Sequence, residues 1–337
     1  MDNPAVSAGF VAGGLALVGT LLPWDAAGPF PTVATVAGGL AFLGFAAARY
    51  GFVDDRVGAG VGALGGGALA GYATVFGVGQ GAVLAGAGGV GAALAAAVRG
   101  GPLRERLHAL GTATLAGVAG YLVIAVWVLL LQLVLDGVGV DATPFVSNVR
   151  NGAATLLGGV SATGAFLTYT GRDWGYVDLP RPDTRDVIGF VGGAAAIAVV
   201  VFGYSALFTS LGVETAEHTL SDTVRSNPEL LAVLIPSSLL FVGPGEELLY
   251  RNVVQKRLAA SFPDGTAILV ASAVFSGVHL SAYVGGGGSL GAALLSVFTL
   301  SLVLGAVYAY TESLLVAAAV HGCYDAVVFA AIAAGVG

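Results

Sequence analysis

The sequence predicts an all-α polytopic membrane protein with about 11 transmembrane helices, and three observations lead to this fold class. Charged residues make up only 10% of the 337 residues, whereas hydrophobic residues make up 56%, and soluble domains carry about 25% charge. Apolar runs of about 17–25 residues, the length that crosses a bilayer, recur along the chain. Basic residues concentrate in alternate connecting loops, as they do in multi-pass membrane proteins.

Eleven apolar segments account for the predicted helices. The first begins directly after Met1-Asp2-Asn3-Pro4, which has no basic residue, so we expect a true span and not a cleaved signal peptide. The third and fourth are rich in glycine at four-residue spacing, which suits closely packed helices. The segments are 5–22, 30–48, 57–77, 81–98, 109–135, 151–169, 187–211, 229–250, 265–281, 289–310 and 313–334.

The basic residues predict the orientation of these helices. If the N-terminus is cytoplasmic, the outer loops hold only Arg150 and Arg225, and all other basic residues lie in inner loops. This asymmetry follows the positive-inside rule. It predicts a multi-pass protein of the cell membrane with a cytoplasmic N-terminus. The inner cations are Arg49, Arg56, Arg99, Arg104, Arg106, Arg172, Arg181, Arg185, Arg251, Lys256 and Arg257.

A polar segment divides the chain into two predicted parts. Residues 1–170 form a Gly/Ala-rich bundle of about six helices, whose role is unknown and which we expect to be a scaffold. Residues 171–186 form a polar linker with two prolines, and 187–337 form a C-terminal bundle of about five helices. Every intramembrane ionisable group that is a candidate for function lies in this second bundle.

Composition also excludes several classes of protein. A single cysteine, Cys323, excludes a disulfide framework and a cysteine-rich metal site. The formal net charge of −7 argues against a nucleic-acid partner. The expected partners are the lipid bilayer and a membrane-anchored peptide or protein substrate.

The ionisable residues of the C-terminal bundle fall in three places, and each is costly inside a membrane. Residues four apart share a helix face, so Glu247 can pair with Arg251, and His321 lies on the face of Asp325. Glu246 points about 100° away from Glu247 and stays free.

Helix length places these groups at a similar depth. Glu246 and His279 are equidistant from a predicted turn at 261–265, each about 21 Å of helix away. Phe275 shares a face with His279 by the same four-residue spacing. The last helix, which starts near Glu312, places His321 and Asp325 about 13–20 Å into the membrane. The sequence thus predicts that the three places meet well below the aqueous surface.

A carboxylate beside two imidazoles is suited to acid–base chemistry. Glu246 could take a proton from water, and one histidine could hold that water or protonate a leaving amine. The other histidine, with Asp325, could stabilise an oxyanion. The reaction would be hydrolysis of a peptide bond.

The motifs Glu246-Glu247-x-x-x-Arg251, Phe275-x-x-x-His279 and His321-x-x-x-Asp325 resemble the three signature motifs of the CPBP family, also called the ABI family. This family comprises type II CAAX prenyl endopeptidases and bacteriocin-processing proteins, and the resemblance covers about 187–334. It implies an intramembrane endopeptidase acting on a membrane-associated or CAAX-like substrate. By analogy Glu246 would be the general base and His279 would assist it.

The same resemblance implies an oxyanion site at His321 and Asp325, supported by Glu247, Arg251 and Phe275. Two departures stand out: Asp325 replaces the commoner Asn, and Asn252 lies where the family often has Gly. An unpaired Asp325 would disfavour an oxyanion, and it could instead orient His321.

Alternatives remain open from the residues alone. We expect no cofactor, but Glu246, His279 and His321 could also ligate zinc. Buried Glu, His and Asp can also form the relay of a proton-coupled transporter. A non-catalytic membrane scaffold or immunity protein is a third class. His218, in an acidic outer loop, is expected to be solvated.

Overall fold

The structure is a computed structural model that describes residues 4–22, 31–76, 80–97 and 103–335. This described part is all-helical, with 84% helix and no strand, which confirms the predicted all-α class. Arg99, one of the predicted inner-loop cations, lies outside the described residues.

Each of the eleven predicted apolar segments coincides with a helix, and in the described ranges two short α-helices and a 3-10 turn at Trp174–Tyr176 occur in addition. The bounds are α1 Pro4–Thr20, α2 Pro31–Arg49, α3 Asp55–Phe76, α4 Gln80–Ala97, α5 Leu103–Gly137, α6 Pro144–Thr170, α7 Thr184–Leu211, α8 Ser221–Ser226, α9 Pro228–Ala259, α10 Asp264–Val278, α11 Leu280–Tyr283, α12 Leu290–Thr311 and α13 Leu314–Ala333.

Among the described residues, five helices are long and apolar enough to cross a membrane. They lie in α5 from His108 onwards, and in α7, α9, α12 and α13. Apolar helices in α1, α2, α4 and α10 are shorter. These long apolar helices indicate a membrane protein with several spans. The count of about 11 spans stays a prediction.

The two helices that flank the polar linker have clear boundary signals. Pro144 begins α6 after Thr143, whose side chain accepts a hydrogen bond from Val146 N–H. Asp183 begins α7 with a capping box closed by Asp186. Gly171 ends α6 with φ of 66°, a left-handed conformation that glycine adopts without strain. The linker is therefore fixed at both ends by local sequence.

Contacts within the chain define two compact units. The first comprises Met1–His108, Val213–Thr215 and Gly288–Leu295. Within it, α2 and α3 approach so closely that a Cβ at Gly44 would lie 2.5 Å from Gly62 N. A Cβ at Gly65 would similarly lie 2.4 Å from Ala41 N. The glycines of α3 thus permit the close helix contacts that their spacing predicts.

The second unit comprises Ala109–Gly212, Ala216–Gly287 and Ser296–Gly337. It includes α5 from Ala109 and all of α6, which the sequence analysis assigns to the N-terminal bundle. The predicted division of the chain at 171–186 stays a prediction.

The polar linker is bonded to the helices of the second unit through Asp178. Its carboxylate forms an ion pair with Lys256 at 2.6 Å and accepts a hydrogen bond from the Tyr308 hydroxyl. Its backbone N–H donates to Asn252 Oδ1 at 2.9 Å. Asn252, a departure from the family pattern, therefore anchors the linker.

Candidate active site

The helix α9 carries two adjacent glutamates, flanked by two π-helical stretches, Ser238–Val242 and Leu248–Gln255. Such stretches are rare and often occur at functional sites. Close contacts fix α9 on both sides. A Cβ at Gly159 of α6 would lie 2.3 Å from Gly245 O, and one at Gly322 of α13 would lie 2.6 Å from Ser238 O. Glycine on these neighbouring helices thus lets α6 and α13 touch the backbone that presents the glutamates.

Glu247 is fully buried, and both its oxygens have partners. Oε2 accepts a hydrogen bond from Arg251 Nε at 2.8 Å, within an ion pair that is wholly inaccessible to solvent. Oε1 lies 2.9 Å from His321 Nδ1. The predicted pairing of Glu247 with Arg251 is observed, and Glu247 also links α9 to α13.

Glu246, by contrast, faces a cavity with 17% of its side chain exposed. Its Oε2 lies 3.7 Å from His279 Nε2 and 3.9 Å from His321 Nε2. It has no hydrogen-bond partner among the described residues. These distances exceed a direct hydrogen bond, so the two imidazoles and the carboxylate can share one intervening oxygen. The structure thus places together the three groups that the depth argument predicts to meet.

His279 follows the last residue of α10, and its ring orientation is fixed by the backbone. Its Nδ1 lies 2.8 Å from Phe275 O. A carbonyl only accepts, so Nδ1 carries the hydrogen. In the neutral imidazole Nε2 is then an acceptor directed towards Glu246.

His321 is surrounded by carboxylates. Its Nδ1 faces Glu247, while its Nε2 lies 3.6 Å from Asp325 Oδ2 and 3.9 Å from Glu246 Oε2. Both ring nitrogens of His321 therefore face carboxylate oxygens, which can accept hydrogen bonds from ring N–H groups. The negative charge of Asp325 is also partly compensated by this contact.

Phe275 packs among the site side chains and orients them. Its ring centroid lies 4.3 Å from that of His279 and 5.9 Å from that of His321. The Arg251 guanidinium carbon lies 5.1 Å from the same ring, and Tyr250 meets it edge-on at 5.0 Å. Phe275 thus restricts the rotamers of both histidines.

The four candidate catalytic residues open into one cavity of about 230 Å³. Leu300, Leu304 and Phe329 belong to its apolar wall. The cavity also includes groups that the sequence analysis did not place at the site. From α6, a part of the chain that we expected to be scaffold, come Asn148, Asn151, Gly152 and Thr155. Asn148 precedes the predicted segment 151–169 and Asn151 is its first residue, so in the sequence both resemble ordinary polar residues at a helix end.

The structure also corrects the expectation that His218 is solvated: His218 lines this cavity. Its loop is held by a backbone hydrogen bond from Thr219 N–H to Ala282 O at 2.9 Å. His218 Nδ1 accepts the Leu220 N–H at 3.1 Å, so Nε2 carries the hydrogen of the neutral ring. Burial, and secondarily the neighbouring His279, lower the pKa of the His218 imidazole to about 4. His218 is therefore a neutral hydrogen-bond donor at neutral pH.

Zinc ligation by Glu246, His279 and His321 stays an untested alternative to a metal-free site. Ligand atoms of a tetrahedral zinc lie about 3.4 Å apart, given bond lengths near 2.1 Å, and Glu246 Oε2 is 3.7 and 3.9 Å from the two histidine nitrogens. No group of three or more His, Cys, Asp or Glu side chains in the described ranges is arranged to hold a metal ion.

Comparison with known proteins places these motifs in a family. No curated protein and no solved structure matches the chain. Residues 228–327 match the family model described as Type II CAAX prenyl endopeptidase Rce1-like, and they contain all three motifs. This match confirms the resemblance and supports a hydrolase in a multi-pass membrane protein. The segment that carries Glu246, His279 and His321 is thus similar to the type II CAAX prenyl endopeptidases.

Proposed function

We propose that this protein is an intramembrane endopeptidase that hydrolyses a peptide bond of a membrane-associated substrate with water activated by Glu246. The observation that carries the proposal is the position of Glu246 Oε2 in a cavity, 3.7 Å from His279 Nε2 and 3.9 Å from His321 Nε2. The protease family matched by 228–327 supports the same class of reaction.

Glu246 is the base because its oxygen facing the histidines is not engaged by another described residue. It accepts a proton from water, and the resulting hydroxide attacks the scissile carbonyl carbon. His279, with Nδ1 bonded to a backbone carbonyl, holds the water through Nε2. When the C–N bond breaks, the proton held by Glu246 passes to the leaving amine, so atoms and charge balance.

His321 stabilises the oxyanion of the tetrahedral intermediate. Glu247 fixes its ring through Nδ1, and the Nε2–H faces the cavity. Asp325 orients that N–H and partly compensates the charge of the ring. A preorganised donor of this kind contributes about 10²–10³ in kcat in other hydrolases.

The substrate is a membrane-anchored peptide. Leu300, Leu304 and Phe329 give the cavity an apolar wall beside the acid–base groups, which suits an extended peptide with apolar side chains. Since the family that matches is described by its CAAX prenyl substrates, a CAAX-like peptide with a C-terminal lipid is the first substrate to test. The positive-inside pattern supports a cytoplasmic N-terminus as part of this proposal.

The test is cleavage of a membrane-anchored reporter peptide by the purified full-length protein in liposomes. Glu246→Gln is expected to lower cleavage at least about 10³-fold, because the amide cannot accept the proton. Glu229→Gln is a matched control, since Glu229 lies on the same helix and is exposed. It should leave cleavage within about twofold. Full cleavage by folded Glu246→Gln would contradict the general-base role.

Two further measurements separate the alternatives. Cleavage that persists after exhaustive chelation and metal analysis is expected for water activation by Glu246, and loss of cleavage that zinc restores would contradict it. Proton flux into the same liposomes, abolished by Glu246→Gln in the absence of any cleavage, would favour a transporter.

A further inference from the structure

Below the candidate active site, buried polar atoms on three helices have no hydrogen-bond partner among the described residues. They include Arg251 Nη1 and Nη2 and Gln255 Oε1 on α9, Ser272 Oγ on α10 and Ser301 Oγ on α12. Arg251, Ser272 and Ser301 are 0% exposed, and Gln255 is 3% exposed. An isolated unsatisfied group of this kind costs stability, and native proteins contain few of them.

The three helices meet at one level. Gln255 Nε2 donates to Gly305 O at 2.9 Å. A Cβ at Gly305 would lie 2.8 Å from both Gln255 Oε1 and Ile268 Cγ2. Helices α9, α10 and α12 are therefore in contact at Gln255, Ile268 and Gly305.

About one turn from this contact, each helix carries one of the unpartnered side chains. Arg251, Ser272 and Ser301 each precede or follow the contact residue of their own helix by four positions. On each helix this turn leads towards the cavity. Arg251 packs on Phe275, a cavity residue that lies three positions beyond Ser272 on α10.

On α12 the same direction holds, because Ser301 lies between two residues of the cavity wall, Leu300 and Leu304. The unpartnered groups of the three helices thus each lie on the helical turn between the cavity and the Gln255 level.

We propose that Arg251, Gln255, Ser272 and Ser301 form a buried hydration site that holds one or more ordered water molecules. The guanidinium offers only donors, Gln255 Oε1 offers only an acceptor, and each serine hydroxyl offers both. Water satisfies this mixed set because it donates and accepts, and a buried water commonly makes about three hydrogen bonds. An anion would be opposed by Gln255 Oε1, and Glu247 already balances the charge of Arg251.

The hydration site has a structural consequence for the site above it. Arg251 uses Nε to bind Glu247, and water at Nη1 and Nη2 fixes the remaining edge of the guanidinium. This inference concerns hydration and packing, so it stands or falls independently of peptide cleavage.

The test uses the sign of a stability change in the full-length protein in detergent or lipid nanodiscs. Ser272→Ala and Ser301→Ala should each lower the thermal midpoint by about 2–4 °C, because each removes a hydrogen bond to water. Their combination should lower it by less than the sum, since both hydroxyls act on the same water.

The matched control is Thr163→Val on α6. Thr163 is also 0% exposed and its hydroxyl is unpartnered, but it lies on a different helix. We expect its midpoint to stay constant or rise, because an isolated hydroxyl is replaced by a methyl group. If the two serine variants also stay constant or rise, their hydroxyls are unpaired and the hydration site does not exist.

A second measurement identifies the ligand. Replacing chloride by gluconate at constant ionic strength should leave the wild-type midpoint unchanged. A midpoint that falls with chloride removal in the wild type, but not in Ser272→Ala, would assign an anion and overturn the assignment of water. An experimental density map that resolves ordered solvent should show an oxygen within about 3.2 Å of Arg251 Nη and a serine Oγ; a dry contact there would also overturn it.

Discussion

Neutralising one of the two adjacent glutamates separates their roles most sharply. Glu247→Gln removes the charge that balances Arg251 while keeping the shape of the side chain. Both side chains of the ion pair are 0% exposed, and Arg251 Nε lies 2.8 Å from Glu247 Oε2. Removing one partner of a buried pair costs about 3–5 kcal/mol, because the remaining charge stays buried. The amide oxygen can still accept from Arg251 Nε, so we expect a loss of about 3 kcal/mol.

This loss corresponds to a fall in the thermal midpoint on the order of 10 °C, measured on the full-length protein in a fixed detergent or nanodisc. The variant should also lose cleavage, because His321 loses the carboxylate that holds its Nδ1 at 2.9 Å.

The control for this experiment is Glu246→Gln, one residue earlier on the same helix. Its Oε2 has no hydrogen-bond partner in the described part of the chain, and its histidine contacts are 3.7 and 3.9 Å long. We expect it to lose cleavage while its midpoint changes by no more than about 2 °C. Equal midpoints for the two variants would refute the assignment of Glu247 as the structural glutamate and Glu246 as the chemical one.

Four other outcomes follow from the same geometry. Asp325→Asn should lower kcat about tenfold with KM unchanged, because His321 Nε2 loses a carboxylate 3.6 Å away; equal or faster turnover would contradict an orienting role. His218→Ala should raise KM several-fold with kcat within about twofold, because it removes a hydrogen-bond donor from the cavity wall. His218→Asn should recover part of the loss, since its amide restores a donor. An unchanged KM in His218→Ala would exclude contact between His218 and the substrate. Protein stability should fall as the pH is lowered from 6.5 to 4. The pKa of His218 is about 4 in the folded protein and 6.5 in the unfolded chain, so the unfolded state binds the proton first. In a pH series of thermal midpoints, His218→Asn should reduce that fall. Gly159→Leu should abolish both activity and stable folding, because its Cβ would lie 2.3 Å from a carbonyl oxygen of α9, whereas Gly192→Leu, where a Cβ meets nothing within 4 Å, should not; normal activity of Gly159→Leu would contradict the close contact.

The sequence was sufficient to predict the all-helical class and the meeting of Glu246 with His279. Both depend on regular helix geometry, in which rise per residue and periodicity convert spacing into position. The turn between α9 and α10 covers 260–263 and overlaps the predicted interval 261–265, so residues equidistant from it meet at similar depth. The same regularity predicts the ion pair of Glu247 with Arg251.

The contributions of α6 and His218 could not be predicted in this way. α6 approaches the site because Gly159 permits backbone contact with Gly245 and Gly152 leaves room for the Ser237 side chain. Such glycines resemble those that pack any membrane helix. His218 reaches the cavity because its loop bonds to residues about sixty positions away, such as Ala282. A pairing of this kind is a tertiary property that leaves no local pattern in the sequence.

The linker illustrates a third limit. Asn252 departs from the family pattern, and the sequence alone treats it as a minor change. In the structure it is fully buried, and its Oδ1 accepts hydrogen bonds from the Asp178 N–H and from the Tyr308 hydroxyl at 3.2 Å. Asn252, the residue after Arg251, therefore helps to attach the linker to α9 through its hydrogen bond from Asp178.

The offset of one residue between the two glutamates explains why the chemistry belongs to the first of them. Successive residues of a helix point about 100° apart, so only one of the pair can face Arg251 one turn later. That residue is Glu247, and its other oxygen is occupied by His321, which leaves it without a free site for a proton from water. Glu246 is left facing the cavity and both histidines. A single glutamate could not both hold His321 and accept a proton from water. With two adjacent glutamates, Glu247 is paired with Arg251 and holds the His321 ring. Glu246 remains available to accept the proton.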